Sequence, residues 1–284
     1  MDGTTVVITG ANAGVGKATA VGLARAGATV VMTARDRARG VAALTDVREQ
    51  SGSDAVELMS LDLASFASIR AFADELQSRH DRLGVLVNNA GLVSRTRTET
   101  EDGFETTFGV NHLGHFLLTS LLLGPLRAGA PSRIVVVASH AHKQARRGLD
   151  FTDLQSERKY SPMAAYARSK LANIYFAREL ARRLDGSGVT ANSLHPGFVA
   201  SRFGRDGDGG RFGDVVMALA RPLAISAEKG ARTSIWLASA PSLAGVTGEY
   251  FYKCKPSTPT AIARVDEAAR RLWAVSEELV ATSS

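Results

Sequence analysis

Short apolar runs alternate along the whole chain with segments whose apolar residues recur every three or four positions. The strand-like runs lie near 4–9, 29–33, 55–60, 84–88, 132–138, 188–194 and 247–251. The helical periodicity lies near 14–26, 36–50, 65–80, 102–127, 160–184, 227–239 and 261–280. Strict alternation of this kind predicts an α/β fold, a doubly wound parallel sheet of about seven strands with helices on both faces. Runs such as "RIVVVAS" are continuously apolar, as strands covered on both sides must be. Neither a linker nor an internal repeat divides the chain, so residues 1–284 are expected to form one domain. The one long irregular stretch is 197–214, "GFVASRFGRDGDGGRFGD", which follows a strand and is expected to be a substrate loop.

Composition narrows the class. Hydrophobic residues make up 45% and charged residues 22%, an ordinary balance for a globular protein with its own core. Cys254 is the single cysteine, which excludes an internal disulfide and fits a reducing, cytoplasmic setting. The chain opens almost directly on "TTVVIT", so no leader is expected. The most apolar stretch, "HFLLTSLLLGPL", is too short to span a bilayer, so no integral membrane segment is expected. The net charge of +6 is spread among acids along most helices, without a basic run. It reads as a solvated surface around an anionic cofactor, not as a nucleic-acid interface.

"VVITGANAGVGKATAVGLARAGA" is strand, glycine-rich turn and helix. Gly10, Gly14 and Gly16 let the backbone turn sharply and approach a pyrophosphate at a helix N-terminus. Thr9 and Asn12 can brace such a turn through side-chain hydrogen bonds. A plain βα turn is the bland alternative, and the strand and helix around the glycines weigh against it.

Four more pieces stand at or beyond strand ends: "LVNNAG" (86–91), Ser139 after "IVVVA", "YARSK" with Tyr166 and Lys170, and "NSLHPGFVAS" (192–201). Tyr166 and Lys170 are four apart on a helix, hence on one face. A cation beside a phenol stabilises the phenolate and is expected to lower its pKa from about 10. A phenol so tuned exchanges a proton with a carbonyl or alcohol oxygen, and Ser139 can donate to the same oxygen. Singly these are an exposed helical pair and a strand-end serine; in this order they are a constellation.

With "TGANAGVGKATA", "NNAG", "EDGFETTFGVNHLGHFLLT", "YARSKLANIYFARELARRL", "HPGFV" and "GEYF", the chain resembles the short-chain dehydrogenase/reductase superfamily of Rossmann-type folds, retinol dehydrogenase-like branch. The resemblance implies hydride transfer between NADP(H) and a carbonyl or alcohol, on a retinoid-like, steroid-like or other hydrophobic small molecule. Tyr166 is then the general acid/base, Lys170 its partner and a nicotinamide-ribose ligand, and Ser139 the residue that polarises the substrate. Asn111 matches the position that supports a proton-relay water. The cofactor cradle falls on Gly10, Asn12, Gly14, Val15 and Gly16, with Asp62 and Leu63 at the adenine and Asn89, Ala90 and Gly91 along the dinucleotide. Pro196, Gly197, Val199 and Ser201 fall on the nicotinamide side, with Ser201 where the family often has threonine. The family also implies a homodimer or homotetramer built on the helices at 102–127 and 160–184.

The same resemblance addresses the cofactor. The acid that reads an NAD ribose would fall on Ala34, and Arg35 follows where NADP-preferring relatives place a base. A guanidinium suits a 2′-phosphate bidentately. Asp36 is expected only to cap the next helix, and Lys17 to add weakly to the positive field. A cofactor-sensing binding protein of the same fold is the alternative; it would be expected to lose the catalytic residues, and Asn111, Ser139, Tyr166 and Lys170 are all present. Pairs such as His112/His115 and His140/His142 lack the ligand set a metal needs, so no metal is expected. The C-terminal helix with Leu272 and Trp273 is expected to pack in the core or between subunits.

Overall fold

In the computed structural model, which describes residues 1–199 and 225–282, the alternation begins with β1 (Thr5–Ile8). There follow α1 (Gly14–Arg25), β2 (Thr29–Ala34), α2 (Arg37–Ser51), β3 (Val56–Ser60), α3 (Phe66–Arg79) and β4 (Val85–Asn88). Next come α4 (Thr106–Phe108), α5 (Gly114–Leu121), α6 (Leu123–Ala128), β5 (Ser132–Val137), α7 (Pro162–Arg183) and β6 (Val189–Leu194). The described elements end with α8 (Ala227–Ser239), β7 (Tyr250–Tyr252), β8 (Lys255–Pro256) and α9 (Asp266–Ala281).

The strands form one sheet in the order β3-β2-β1-β4-β5-β6-β7-β8. Every pairing is parallel except β7 with β8. Side chains alternate between two cores, as a strand's two-residue period requires. Val6, Ile8, Val135 and Val137 enter the core on one face, while Val7, Ile134 and Val136 enter the core on the other. The chain winds outward from β1 to β3, then returns to pair β4 with the other side of β1. This reversal opens a crevice at the carboxyl ends of β1 and β4, the place where such sheets bind ligands.

Two expectations change. Among the described residues the sheet has eight strands, because β7 folds back on β8 through Lys253 and Cys254, both with positive φ (51° and 55°). Segment 102–127 is not one helix. It is α4, a π-helical turn at Gly109–Leu113, α5 and α6. Trp273 of α9 lies against Phe116 of α5 (4.9 Å between ring centroids) and Phe176 of α7 (5.9 Å). The C-terminal helix thus packs in the core against α5 and α7. Among the described residues, no helix is long and apolar enough to cross a membrane.

Candidate active site

The glycine turn joins β1 to α1 at the crevice. Gly10 has φ 64°, a backbone conformation that a side chain disfavours. At Gly16 a Cβ would lie 2.4 Å from the Gly10 carbonyl oxygen and 2.5 Å from Asn89 Nδ2. The turn is therefore closed onto itself and onto the end of β4. Asn89 Nδ2 donates to the Thr9 carbonyl at 2.8 Å, and the Asn89 and Ala90 N–H groups donate to Thr9 Oγ1 at 2.8 and 2.9 Å. Thr9 braces the turn as expected, but from beneath, by holding the neighbouring strand end. Asn12, Gly14 and Val15 lie on the partly exposed side of the same turn.

At the end of β2 the side chains from Arg35 to Arg39 are all exposed, while Ala34 is 4% exposed. Asp36 is the N-cap of α2, its carboxylate accepting the Arg39 N–H at 3.0 Å. Lys17 is ion-paired to Asp46 at 2.7 Å, so its charge is already partly balanced. After β3, Asp62 accepts the Ala64 N–H at 2.9 Å, and Leu63 is buried.

Beyond β4, Gly91 sits where a Cβ would lie 3.1 Å from Lys170 Nζ and 3.2 Å from Asn111 Oδ1. A glycine there leaves space beside both groups. Asn111, in the π-helical turn, is fully buried. Its Oδ1 accepts the Leu92 N–H at 2.8 Å, and its Nδ2 donates to the Leu92 carbonyl at 2.9 Å and to Ser169 Oγ at 3.0 Å.

Ser139 follows β5 and accepts the Ala141 N–H at 3.1 Å, starting a short 3-10 turn. Its hydroxyl also hydrogen-bonds the Tyr166 side chain. Lys170, one turn along α7, is 2% exposed and donates to the Val137 carbonyl at 3.0 Å. Its Nζ lies 5.7 Å from the centre of the Tyr166 ring. Ser139, Tyr166, Lys170 and Asn111 thus converge through β4, β5, α5's preceding turn and α7.

The electrostatics differ from the expectation. Burial pushes the Tyr166 phenol up to about 12, opposed by the Ser139 hydrogen bond. Burial lowers Lys170 to about 8. The phenol is therefore protonated at neutral pH, and the ammonium still charged.

After β6, His195 Nδ1 accepts the Gly197 N–H at 3.2 Å, fixing the Pro196-Gly197 turn, in which Gly197 has φ 92°. The His195 ring stacks on Tyr252 at 4.0 Å. This residue escaped the sequence reading, and its only signal was its place directly before Pro-Gly. Val199 bridges to Ile225. Ser201 and most of the 197–214 loop lie outside the described residues. His142 is buried, with Nδ1 bonded to the Ser139 carbonyl at 2.7 Å, so it packs behind the site. Among the described residues, no three His, Cys, Asp or Glu side chains cluster as metal ligands would.

The glycine turn, the strand crevice and the Ser139, Tyr166, Lys170 and Asn111 side chains thus stand together at one end of the sheet. The chain belongs to the short-chain dehydrogenase family: residues 4–151 match the family model described as short chain dehydrogenase. It is 48% identical to retinol dehydrogenase 14 of Mus musculus, over 99% of this chain and 86% of that protein. Among solved structures it is similar to an uncharacterised protein from Mycobacterium paratuberculosis (TM-score 0.79, 36% identity, 99% of this chain and 94% of that one). It is also similar to Pseudomonas aeruginosa RhlG in an NADP active-site complex (TM-score 0.70, 27% identity, 88% and 94%).

Proposed function

We propose that this protein is an NADP-dependent oxidoreductase that interconverts a carbonyl and an alcohol on a hydrophobic small molecule. The observation that carries the reading is the convergence of the Tyr166 hydroxyl, Ser139, buried Lys170 and Asn111 beside the space at Gly91. The naming of a 48% identical relative as a retinol dehydrogenase supports the reaction class.

The turn at Gly10, Asn12, Gly14, Val15 and Gly16 holds the pyrophosphate on the α1 N-terminus. Asp62 and Leu63 flank the adenine; Asn89, Ala90 and Gly91 line the middle of the dinucleotide; Pro196, Gly197 and Val199 face the nicotinamide, and the family pattern assigns Ser201, outside the described residues, to the same end. Arg35 takes the 2′-phosphate, as its exposed guanidinium beside the β2 end favours. The bound cofactor supplies or takes up the hydride.

The rest is the work of this chain. Tyr166, protonated at neutral pH, donates its proton to the carbonyl oxygen in reduction and recovers one from the alcohol in oxidation. Ser139 donates to the same oxygen. Lys170, held by the Val137 carbonyl, offsets the negative charge of the phenolate and binds the ribose. Asn111 fixes the backbone after Gly91. Met163, three residues before Tyr166, and Phe198, next to Gly197, are each 48% exposed and support an apolar substrate. A homodimer or homotetramer, in a cytoplasmic setting, completes the proposal; across α5 and α7 it would have to include α9.

Replacing Tyr166 by Phe tests the reading. We expect turnover of a carbonyl panel with NADPH to fall by about 10²–10⁴-fold, with NADPH affinity retained. Near-normal turnover would refute it.

A further inference from the structure

His115 reads in the sequence as a packing residue within "NHLGHF". In the structure each of its ring nitrogens has a defined partner. The residue is 1% exposed. Nδ1 lies 3.1 Å from the Asn111 carbonyl oxygen, which can only accept, so Nδ1 carries the ring proton. Nε2 of the neutral ring is then an acceptor, 2.9 Å from Thr9 Oγ1. Thr9 Oγ1 already accepts from the Asn89 and Ala90 N–H groups. Both of its lone pairs are engaged, so its own proton is left to donate. His115 Nε2 at 2.9 Å is a better acceptor for it than the Val87 carbonyl at 3.4 Å. One tautomer and one hydroxyl orientation satisfy every partner. Burial and the nearby charge of Lys170 lower His115 to about 4, partly opposed by its bond to the Asn111 carbonyl, so the acceptor persists at neutral pH.

The chain of bonds continues past Asn111. Asn111 Nδ2 donates to Ser169 Oγ at 3.0 Å, and the Ser169 hydroxyl donates to the Tyr166 carbonyl at 2.9 Å. A continuous hydrogen-bonded path therefore runs from the backbone of Asn89 and Ala90, through Thr9, His115 and Asn111, to the helix turn that carries Tyr166. We infer that His115 is a positioning residue, a neutral two-ended brace that couples the seat of the dinucleotide at the β4 end to the catalytic turn of α7. The inference rests on the function proposed above, and extends it to a residue that touches neither substrate nor cofactor.

The two ends of the brace are separable. In H115Q the longer amide reaches toward Thr9 and can keep the acceptor, while the donor to Asn111 is lost. In H115N the shorter amide can keep the donor to Asn111, while the acceptor for Thr9 is lost. The dissociation constant for NADPH, from its fluorescence, and kcat are measured for both. H115N is expected to raise the NADPH dissociation constant about fivefold with kcat nearly unchanged, the effect of about one hydrogen bond. H115Q is expected to lower kcat about fivefold with NADPH affinity nearly unchanged. Equal changes in both quantities in both variants, or no change in either, would overturn the brace. Nitrogen-15 NMR of the unaltered protein gives a test free of folding effects: His115 must be neutral and protonated on Nδ1 from pH 7 down to 5.5. A ring protonated on Nε2, or an imidazolium in that range, would overturn it as well. If Y166F keeps full turnover, the proposed reaction fails, while the NADPH affinities and the tautomer still judge the brace. If Y166F is inactive and the two amide variants behave alike, the brace alone fails.

Discussion

Acid should unfold this protein early, through histidines that the fold keeps neutral. His112 and His115 are each 1% exposed. Burial, with the neighbouring His115, lowers His112 to about 3, and burial is the main cause that lowers His115 to about 4. Unfolded, both titrate near 6.5. Between pH 6 and 5 the unfolded chain therefore binds protons that the folded one refuses. The unfolded state holding more protons means that stability rises with pH, so it is intact above about 6.5 and lost as pH falls toward 4. Each such group contributes a slope of up to about 1.4 kcal/mol per pH unit, or about 2.5 kcal/mol for the two in this window. His195, lowered to about 4 by burial and by His140, His142 and Lys143, raises the total to about 3.5 kcal/mol per pH unit. Against a total stability of about 5–15 kcal/mol, that is a large loss, and it precedes most carboxylate protonation. Urea unfolding at pH 7, 6 and 5, followed by Trp236 and Trp273 fluorescence, measures it. His112→Phe keeps an aromatic ring among Phe108, Phe116 and Phe176 and removes one titrating group. Its stability should fall about 1.2 kcal/mol less per pH unit than that of the unaltered protein, whatever its stability at pH 7. Equal slopes, or a flat profile from pH 7 to 5, would refute the reasoning.

Two neighbouring substitutions divide the labour after β2. Arg35→Ala should raise the KM for NADPH by about tenfold or more, the worth of a charge-assisted phosphate contact, and leave the KM for NADH nearly unchanged; equal effects on the two cofactors would refute the assignment. Asp36→Ala should cost about 1 kcal/mol of stability in urea through the lost α2 cap, with no change in cofactor preference.

The sheet was legible because strands covered on both faces must be apolar at every position. Ile134 and Val136 go to one core and Val135 and Val137 to the other, and a run without polar interruption announces that. Asp36 was legible as a cap because a short acceptor stands just before a helical period. The break in segment 102–127 was not, because apolar periodicity records which side of a helix is buried and says little about a π-helical turn. That turn centres on Asn111, whose amide is engaged by the Leu92 backbone, a partner distant in sequence. The β7–β8 hairpin was missed for a different reason: Lys253 and Cys254, unlike glycine, do not advertise positive φ.

Residue types and spacing were enough to nominate Ser139, Tyr166 and Lys170, and the family resemblance added Asn111, yet neither weighed their electrostatics. Spacing put an ammonium beside a phenol and so suggested a lowered phenol pKa. It could not register that both groups lose their water. A buried phenolate and a buried ammonium are each disfavoured, and the structure pushes the two groups toward their neutral forms, Tyr166 up to about 12 and Lys170 down to about 8. The bond from Ser139 favours the phenolate, and burial outweighs it. Under the reaction proposed above, proton donation is thus the ready state of Tyr166 at neutral pH. The same logic explains why His115 reads in the sequence as packing alone. A histidine in an apolar helix looks like filler until its two nitrogens are traced to Thr9 and Asn111, and only the fold brings those partners together.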